Sequence, residues 1–291
     1  MKILLTGANG QLGSCLQDLA KNSSLFTVIA TDYQDLDITN QQAVIDFVAN
    51  TKPDIIVNAA AHTAVDKAQS EAELATAINA KGPEYLAKSA KNAAIPMIHV
   101  STDYVFDGTA TTPYLPNQPA KPLGVYGETK WQGEKAVRNT LAEHIIIRTA
   151  WVFSEYGNNF VKTMLRIAAE REELGVIADQ YGCPTYAGDL AAAILHCCEQ
   201  ISAGKTAWGS YHHCGDLPTS WHGFTRAILA EGLAQGKLGS AAKLNAIKTE
   251  DYPLPAPRPS YSVMDCSTMQ KAWGVVASDW RAALTKVITL L

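Results

Sequence analysis

Apolar positions along this chain fall into two rhythms. Short, nearly continuous aliphatic runs at residues 2–6, 28–31, 55–58, 97–101 and 145–148 predict strands buried on both faces. Between them, apolar residues three and four apart predict helices over residues 11–20, 43–49 and 72–94, the last interrupted near Gly82-Pro83,. Residues 108–124, rich in Thr and Pro, read as a loop that leads into a helix carrying Tyr126 and Lys130,. Strands alternating with helices imply a parallel sheet covered on both faces.

Beyond residue 150 the alternation loosens. Residues 160–172, 188–200 and 221–234 carry helical patterns, and residues 210–214 read as a strand,. The run from Tyr252 to Pro259 contains four prolines, which lack the N–H donors a helix interior or central strand needs, so it is expected to be an extended surface segment. The fold class that follows is α/β: a Rossmann-type doubly wound parallel sheet with a smaller C-terminal substrate-binding α/β domain. Residues 1–150 would form the dinucleotide-binding domain, joined by a segment returning near 188–207. Residues 151–291 would be mostly substrate-binding.

Composition narrows the function without naming it. Apolar residues make up 47% of the 291, enough for a sizeable core, so a disordered chain is excluded,. The net charge is only −4 and no Lys/Arg cluster forms a phosphate-tracking stripe, which removes nucleic acid as an expected partner,. The apolar run after Met1-Lys2 stops at Thr6, far short of a signal-peptide core or a membrane span, and a cytoplasmic location is expected,. Six cysteines without C-x-x-C spacing fit reduced thiols,. His212-His213-Cys214 resembles a metal motif only superficially, because adjacent residues of a strand point to opposite faces.

Chemistry enters first at Gly7-Ala8-Asn9-Gly10-Gln11-Leu12-Gly13, between the first strand and the first helix. Gly7, Gly10 and Gly13 allow a tight turn and close backbone approach to a pyrophosphate, which the helix N-terminus attracts. Asp32 follows nineteen residues after Gly13, near the distance at which an acid bonds the adenosine ribose. The absence of an Arg directly after it leans toward NADH over NADPH. Asp37 and Ile38 are placed to reach the adenine, and Ala59, Ala60 and Ala61 leave room for a cofactor against the backbone. Thr102 stands at the carboxyl end of the fourth strand, where ligands bind in open α/β sheets. Tyr126 and Lys130, four apart on a helix, share a face, so the ammonium is expected beside the phenol, favouring its ionised form.

These residues resemble the extended branch of the short-chain dehydrogenase/reductase superfamily. The likeness runs along nearly the whole chain and is carried by Gly7-x-x-Gly10-Gln11-x-Gly13, the stretch from Val57 to Ala68, Ser101-Thr102-Asp103-Tyr104-Val105-Phe106-Asp107-Gly108, Tyr126-Gly127-x-Thr129-Lys130, Arg148-Thr149-Ala150-Trp151-Val152-Phe153, Asn158-Asn159-Phe160 and Asp179-Gln180-Tyr181-Gly182-x-Pro184-Thr185. The resemblance implies reduction of the C4 ketone of dTDP-4-dehydro-6-deoxy-L-mannose to dTDP-L-rhamnose, with NADH or NADPH as cofactor and a dTDP-sugar as substrate. It assigns proton donation to Tyr126, nicotinamide-ribose binding to Lys130 and orientation of the ketone to Thr102. Gly10, Gln11, Leu12, Asp32, Asp37, Ile38, Ala61, His62 and Thr63 match dinucleotide-holding positions. Thr102, Asp103 and Trp151 match sugar-nucleotide contacts, with Tyr104, Asn159 and Arg258 as further candidates.

Tyr104 separates this reaction from a relative. Sugar-nucleotide dehydratases of the same branch carry Thr-Asp-Glu, whose acids run an elimination; here Tyr104 stands in place of the Glu. Epimerases share the Thr-Tyr-Lys set and stay open as an alternative, as does a non-catalytic dinucleotide-binding regulatory subunit like that of methionine adenosyltransferase. Members of the family associate magnesium with acidic residues, but Cys15 and Gly188 stand where acids would be expected, and no metal requirement follows. A homodimer is compatible with the resemblance, with no apolar stripe marking its interface.

Overall fold

The computed structural model describes residues 1–240 and 242–291. The N-terminal half begins with β1 (Lys2–Thr6), α1 (Gln11–Lys21), β2 (Thr27–Thr31), α2 (Gln41–Thr51) and β3 (Ile55–Asn58). It continues through α3 (Val65–Ser70), α4 (Ala72–Thr76), α5 (Gly82–Asn92), β4 (Met97–Thr102), α6 (Val125–Thr140) and β5 (His144–Thr149). The C-terminal part contributes β6 (Val152–Phe153), α7 (Phe160–Glu170), β7 (Glu173–Ile177), β8 (Tyr181–Gly182), β9 (Thr185–Tyr186), α8 (Ala187–Ser202), β10 (Gly209–His212), β11 (Thr219–Ser220), α9 (Trp221–Ala234), β12 (Lys243–Ile247), α10 (Ser267–Trp273) and α11 (Trp280–Leu290).

Six strands form one parallel sheet in the order β10-β5-β4-β3-β1-β2. Its strands read as continuous apolar runs because successive side chains feed two cores. Ile3, Leu5, Ile55, Val57, Ile145 and Ile147 pack with α1 and α8 on one face. Leu4, Ile56, Met97 and Ile146 pack with α2, α5 and α6 on the other. Each such aliphatic side chain contributes about 1.5–3 kcal/mol on burial. The chain turns from β2 on one side of β1 to β3 on the other, so the crevice at the carboxyl ends of β1 and β3 is the topological switch point where ligands bind in such sheets. Both β10 and α8 return to this body after the chain has left it.

Several sequence expectations need correction. The helical stretch 72–94 is not broken at Gly82-Pro83; it passes from α4 through a π-helical turn, Ala77–Lys81, straight into α5, with the proline in the first turn, where its missing N–H costs nothing. The π turn places Asn79 in the core, where its amide accepts from His62 N at 2.8 Å and donates to Thr129 Oγ1 at 3.2 Å. Helix α7 ends at Glu170, two residues before the expected end, and residues 173–177, to which the sequence assigned no element, form a strand paired in parallel with β12. That pairing lies 70 residues apart, beyond the reach of any local pattern. The Pro-rich segment is exposed at Tyr252 to Pro255, yet Ala256 and Pro259 are buried, because the segment packs its second half against Gly108 and Asp66. Among the described residues, no helix is long and apolar enough to cross a membrane.

Candidate active site

A cavity of about 720 Å³ opens at the carboxyl ends of β1, β3, β4 and β5. The glycine loop forms one wall. Gly7 adopts φ +73, and a Cβ there would lie 2.6 Å from Ala60 N; a Cβ on Gly13 would lie 2.6 Å from Ala8 O. Only glycine lets the loop, the helix and the Ala59–Ala60 backbone pack this closely. Gly10 caps α1 without a side-chain hydrogen bond, and no acid stands in the first turn, so the helix opens onto the cavity with its positive end free.

Asp32 closes that wall. Its carboxylate accepts from Asn9 N at 2.9 Å and Tyr33 N at 2.7 Å, which fixes it at the cavity rim. Asp37 is turned to its own loop, accepting from Thr39 N and Thr39 Oγ1. Ile38, Leu12, Ala61 and Thr63 line the cavity with it. His62 is placed differently: its ring meets Glu71 at 2.9 Å and its backbone is held by Asn79, and it does not line the cavity.

Thr102, Asp103, Tyr104, Tyr126 and Lys130 converge on the cavity from β4 and α6. Thr102 Oγ1 donates to Asp103 Oδ1 at 3.0 Å and accepts from Tyr104 N at 3.2 Å. Burial pushes the Tyr126 phenol up to about 12; the Thr102 hydroxyl within hydrogen-bonding reach opposes this, and the charge of Asp103 adds to it. Tyr104 packs edge-on to Tyr126, ring centroids 5.3 Å apart. Asp103 is buried with Oδ2 unpartnered, and desolvation lifts its carboxyl to about 6.

Lys130 departs from the sequence expectation. Its Nζ donates to Val100 O at 2.7 Å, and the lysine is not among the groups acting on the Tyr126 phenol. Helical spacing puts the two side chains on one face, but the carbonyl at the end of β4 captures the ammonium. Burial pushes Lys130 down to about 8, with Glu134 opposing.

The sugar-facing candidates divide. Trp151 lines the cavity with φ +48 and stacks on Trp221, centroids 3.5 Å apart and planes 8° from parallel; a non-glycine residue in that backbone region is strained, a state that persists where packing enforces it. Asn159 also lines the cavity, but its side chain is committed: it donates to Gln11 Oε1 at 3.0 Å and Ser154 O at 2.7 Å, and caps α7 by accepting from Lys162 N. It therefore ties the glycine loop to the following helix. Arg258 does not line the cavity. Its guanidinium grips Asp66 through two bonds of 2.6 and 2.7 Å and lies within reach of the Tyr104 hydroxyl.

Two contributors, Glu134 and Trp221, escaped the sequence reading, and two others, Ser101 and Arg148, stood in its motifs without the role the fold gives them. Trp221 opens α9 and meets Trp151 only through the tertiary fold. The other three form a buried cluster behind β4 and β5. Among the described residues, no group of three or more His, Cys, Asp or Glu side chains is placed to hold a metal ion.

Comparison with known proteins places this cavity in context. A family model described as the RmlD substrate binding domain matches residues 1–291. The dTDP-4-dehydrorhamnose reductase of Aggregatibacter actinomycetemcomitans is 44% identical over 287 residues, covering 98% of both chains. Among solved structures, a dTDP-4-dehydrorhamnose reductase of Clostridium acetobutylicum superposes with a TM-score of 0.92 at 39% identity, covering 100% of this chain and 99% of that one. That of Bacillus anthracis, in complex with NADP, gives a TM-score of 0.90 at 33% identity with the same coverage.

Proposed function

We propose, from the premise that this chain belongs to the RmlD substrate-binding-domain family, that it reduces the C4 ketone of dTDP-4-dehydro-6-deoxy-L-mannose to dTDP-L-rhamnose with NADH or NADPH. The observation that carries this reading is the convergence of Thr102, Tyr126 and Lys130 on the cavity that the glycine loop also lines. In this reading residues 1–150 and the segment returning near 188–207 hold the dinucleotide, and most of residues 151–291 hold the sugar nucleotide, with possession of a dTDP-sugar substrate following from the family.

The cradle fits a dinucleotide. Gly7 and Gly13 leave no room for a Cβ, the uncapped N-terminus of α1 suits a pyrophosphate, and Asp32 is held at the rim to accept from ribose hydroxyls. A reduced nicotinamide held there would supply a hydride for the carbonyl carbon. Everything else falls to the chain. Tyr126 gives its proton to the oxygen as charge develops there, and its raised pKa keeps that proton loaded across the working pH range,. The Thr102 hydroxyl orients the ketone oxygen, which requires it to turn from Asp103 toward the substrate,. Lys130, held by Val100 O, lines the same cavity and is the group assigned to the nicotinamide ribose. Trp151 and Trp221 wall the sugar side.

The decisive assay follows nicotinamide oxidation with dTDP-4-dehydrorhamnose, comparing NADH with NADPH. Absence of turnover with both would sink the reductase reading. Two substitutions test the assigned walls. Trp151→Ala raises KM for the sugar nucleotide by about 3–10-fold and leaves KM for NADH nearly unchanged; equal effects on both would remove Trp151 from the sugar side. Asp32→Ser raises KM for NADH on the order of tenfold and changes KM for NADPH less, since the lost carboxylate also repelled a 2′-phosphate. A variant that keeps its NADH KM would remove Asp32 from the ribose.

A further inference from the structure

Behind the reacting groups lies a buried ionic cluster that none of the steps above uses. Glu134 sits on α6, one turn beyond Lys130 and two beyond Tyr126, and is fully buried. Its Oε1 accepts from Ser101 Oγ at 2.6 Å and from Arg148 Nε at 2.8 Å. Its Oε2 accepts from Arg148 Nη2 at 2.8 Å and also from Arg138. Ser101 and Arg148 face each other in register across β4 and β5, and each immediately precedes a cavity-lining threonine, Thr102 and Thr149. One carboxylate thus joins the helix bearing the phenol and the ammonium to the two strand ends that floor the cavity. Stability alone does not account for it, because the cost of desolvating a buried ion pair offsets most of its attraction.

We infer that Glu134 is a positioning residue which, through Ser101 and Arg148, fixes the spacing of Thr102, Tyr126 and Lys130. The inference rests on the reductase reading. A second consequence follows from charge. Lys130 donates to the Val100 carbonyl, and the buried His99 lies within reach of its charge; burial together with that charge holds the imidazole well below its usual range and hence uncharged. Glu134, one turn along α6, is the charge that opposes the loss of the Lys130 proton.

The test uses Glu134→Gln, which keeps the side-chain shape and an acceptor for Ser101 but removes the charge. Expected are a fall in kcat of about 10–100-fold, little change in KM for NADH, and an alkaline limb of the kcat profile moved to lower pH. A second variant, Glu134→Gln with Arg148→Met, also removes the buried cation that the first leaves uncompensated and so recovers part of the melting temperature. The inference requires that its kcat stay low and its alkaline limb stay shifted. Recovery of melting temperature, kcat and pH profile together would show that the cluster serves stability alone and would overturn the inference. A readout independent of turnover is the pH dependence of Lys130 acylation by acetic anhydride, followed by mass spectrometry. Its midpoint moves down in Glu134→Gln, and an unmoved midpoint would overturn the electrostatic half. A wild-type protein that turned over no sugar nucleotide would fail the reductase reading instead, leaving this measurement to stand.

Discussion

Tyr126→Phe lowers kcat by about 10²–10⁴-fold while the affinity for nicotinamide dinucleotide stays near that of the unaltered protein. Tyr126 is half-buried, its ring edge-on to Tyr104 and its hydroxyl within reach of Thr102, so deleting its oxygen leaves the ring packing intact and removes only the proton donor. That oxygen matters as charge develops on the ketone, and its loss therefore appears in kcat and kcat/KM equally. Steady-state kinetics with titration of NADH by fluorescence measure both quantities. A Phe variant with near-normal kcat would assign the proton to another group, and Asp103, buried with a free oxygen and lifted to about 6, would be the next to examine.

Arg148→Ala is expected to cost about 3–5 kcal/mol of folding stability, a large share of the roughly 5–15 kcal/mol that a domain has. Arg148 is 1% exposed. Beyond its two bonds to Glu134 it donates to Pro116 O at 3.2 Å, approaches His212 Nε2 at 3.4 Å and lies over the Phe106 ring at 5.1 Å. His212 is pushed down to about 3 by burial and then by the arginine's charge, so it faces the guanidinium as a neutral acceptor. Truncation leaves the Glu134 carboxylate buried against Arg138 and Ser101 only, and opens a cavity beside Phe106. Urea unfolding followed by circular dichroism reads the loss directly; a change below about 1 kcal/mol, the scale of a surface ion pair, would mean that the cluster is solvated or relaxes without cost.

Much of the fold was legible because its signals are local. The aliphatic runs of β1, β3, β4 and β5 need only the two-faced burial that a parallel sheet provides, and the glycine spacing between β1 and α1 reflects backbone so close around Gly7 and Gly13 that an added Cβ would lie within 3 Å of it. Elements formed by distant pairing were not legible. The strand Glu173–Ile177 exists because Lys243–Ile247 lies beside it, and the π turn Ala77–Lys81 accommodates Asn79 reaching back to His62. The Tyr126–Lys130 spacing announced a shared helix face but could not foresee that Val100 O would take the ammonium. Arg258 was a further candidate for the sugar-nucleotide pocket, and the sequence could not foresee that Asp66, 192 residues away, grips its guanidinium.

By itself the sequence determined which residue types stand at the strand ends and on the helix that follows β4: the glycines, Asp32, Thr102, Tyr126 and Lys130. Those positions follow from period and spacing, which are properties of neighbouring residues. Only the tertiary structure decided what each group does with its proton and charge. Burial sets the phenol, the ammonium and the Asp103 carboxyl away from their ordinary values, and Glu134 acts on Lys130 from within a cluster assembled across α6, β4 and β5. Desolvation and Coulomb energy depend on distance through the folded protein, and distance along the chain does not encode them.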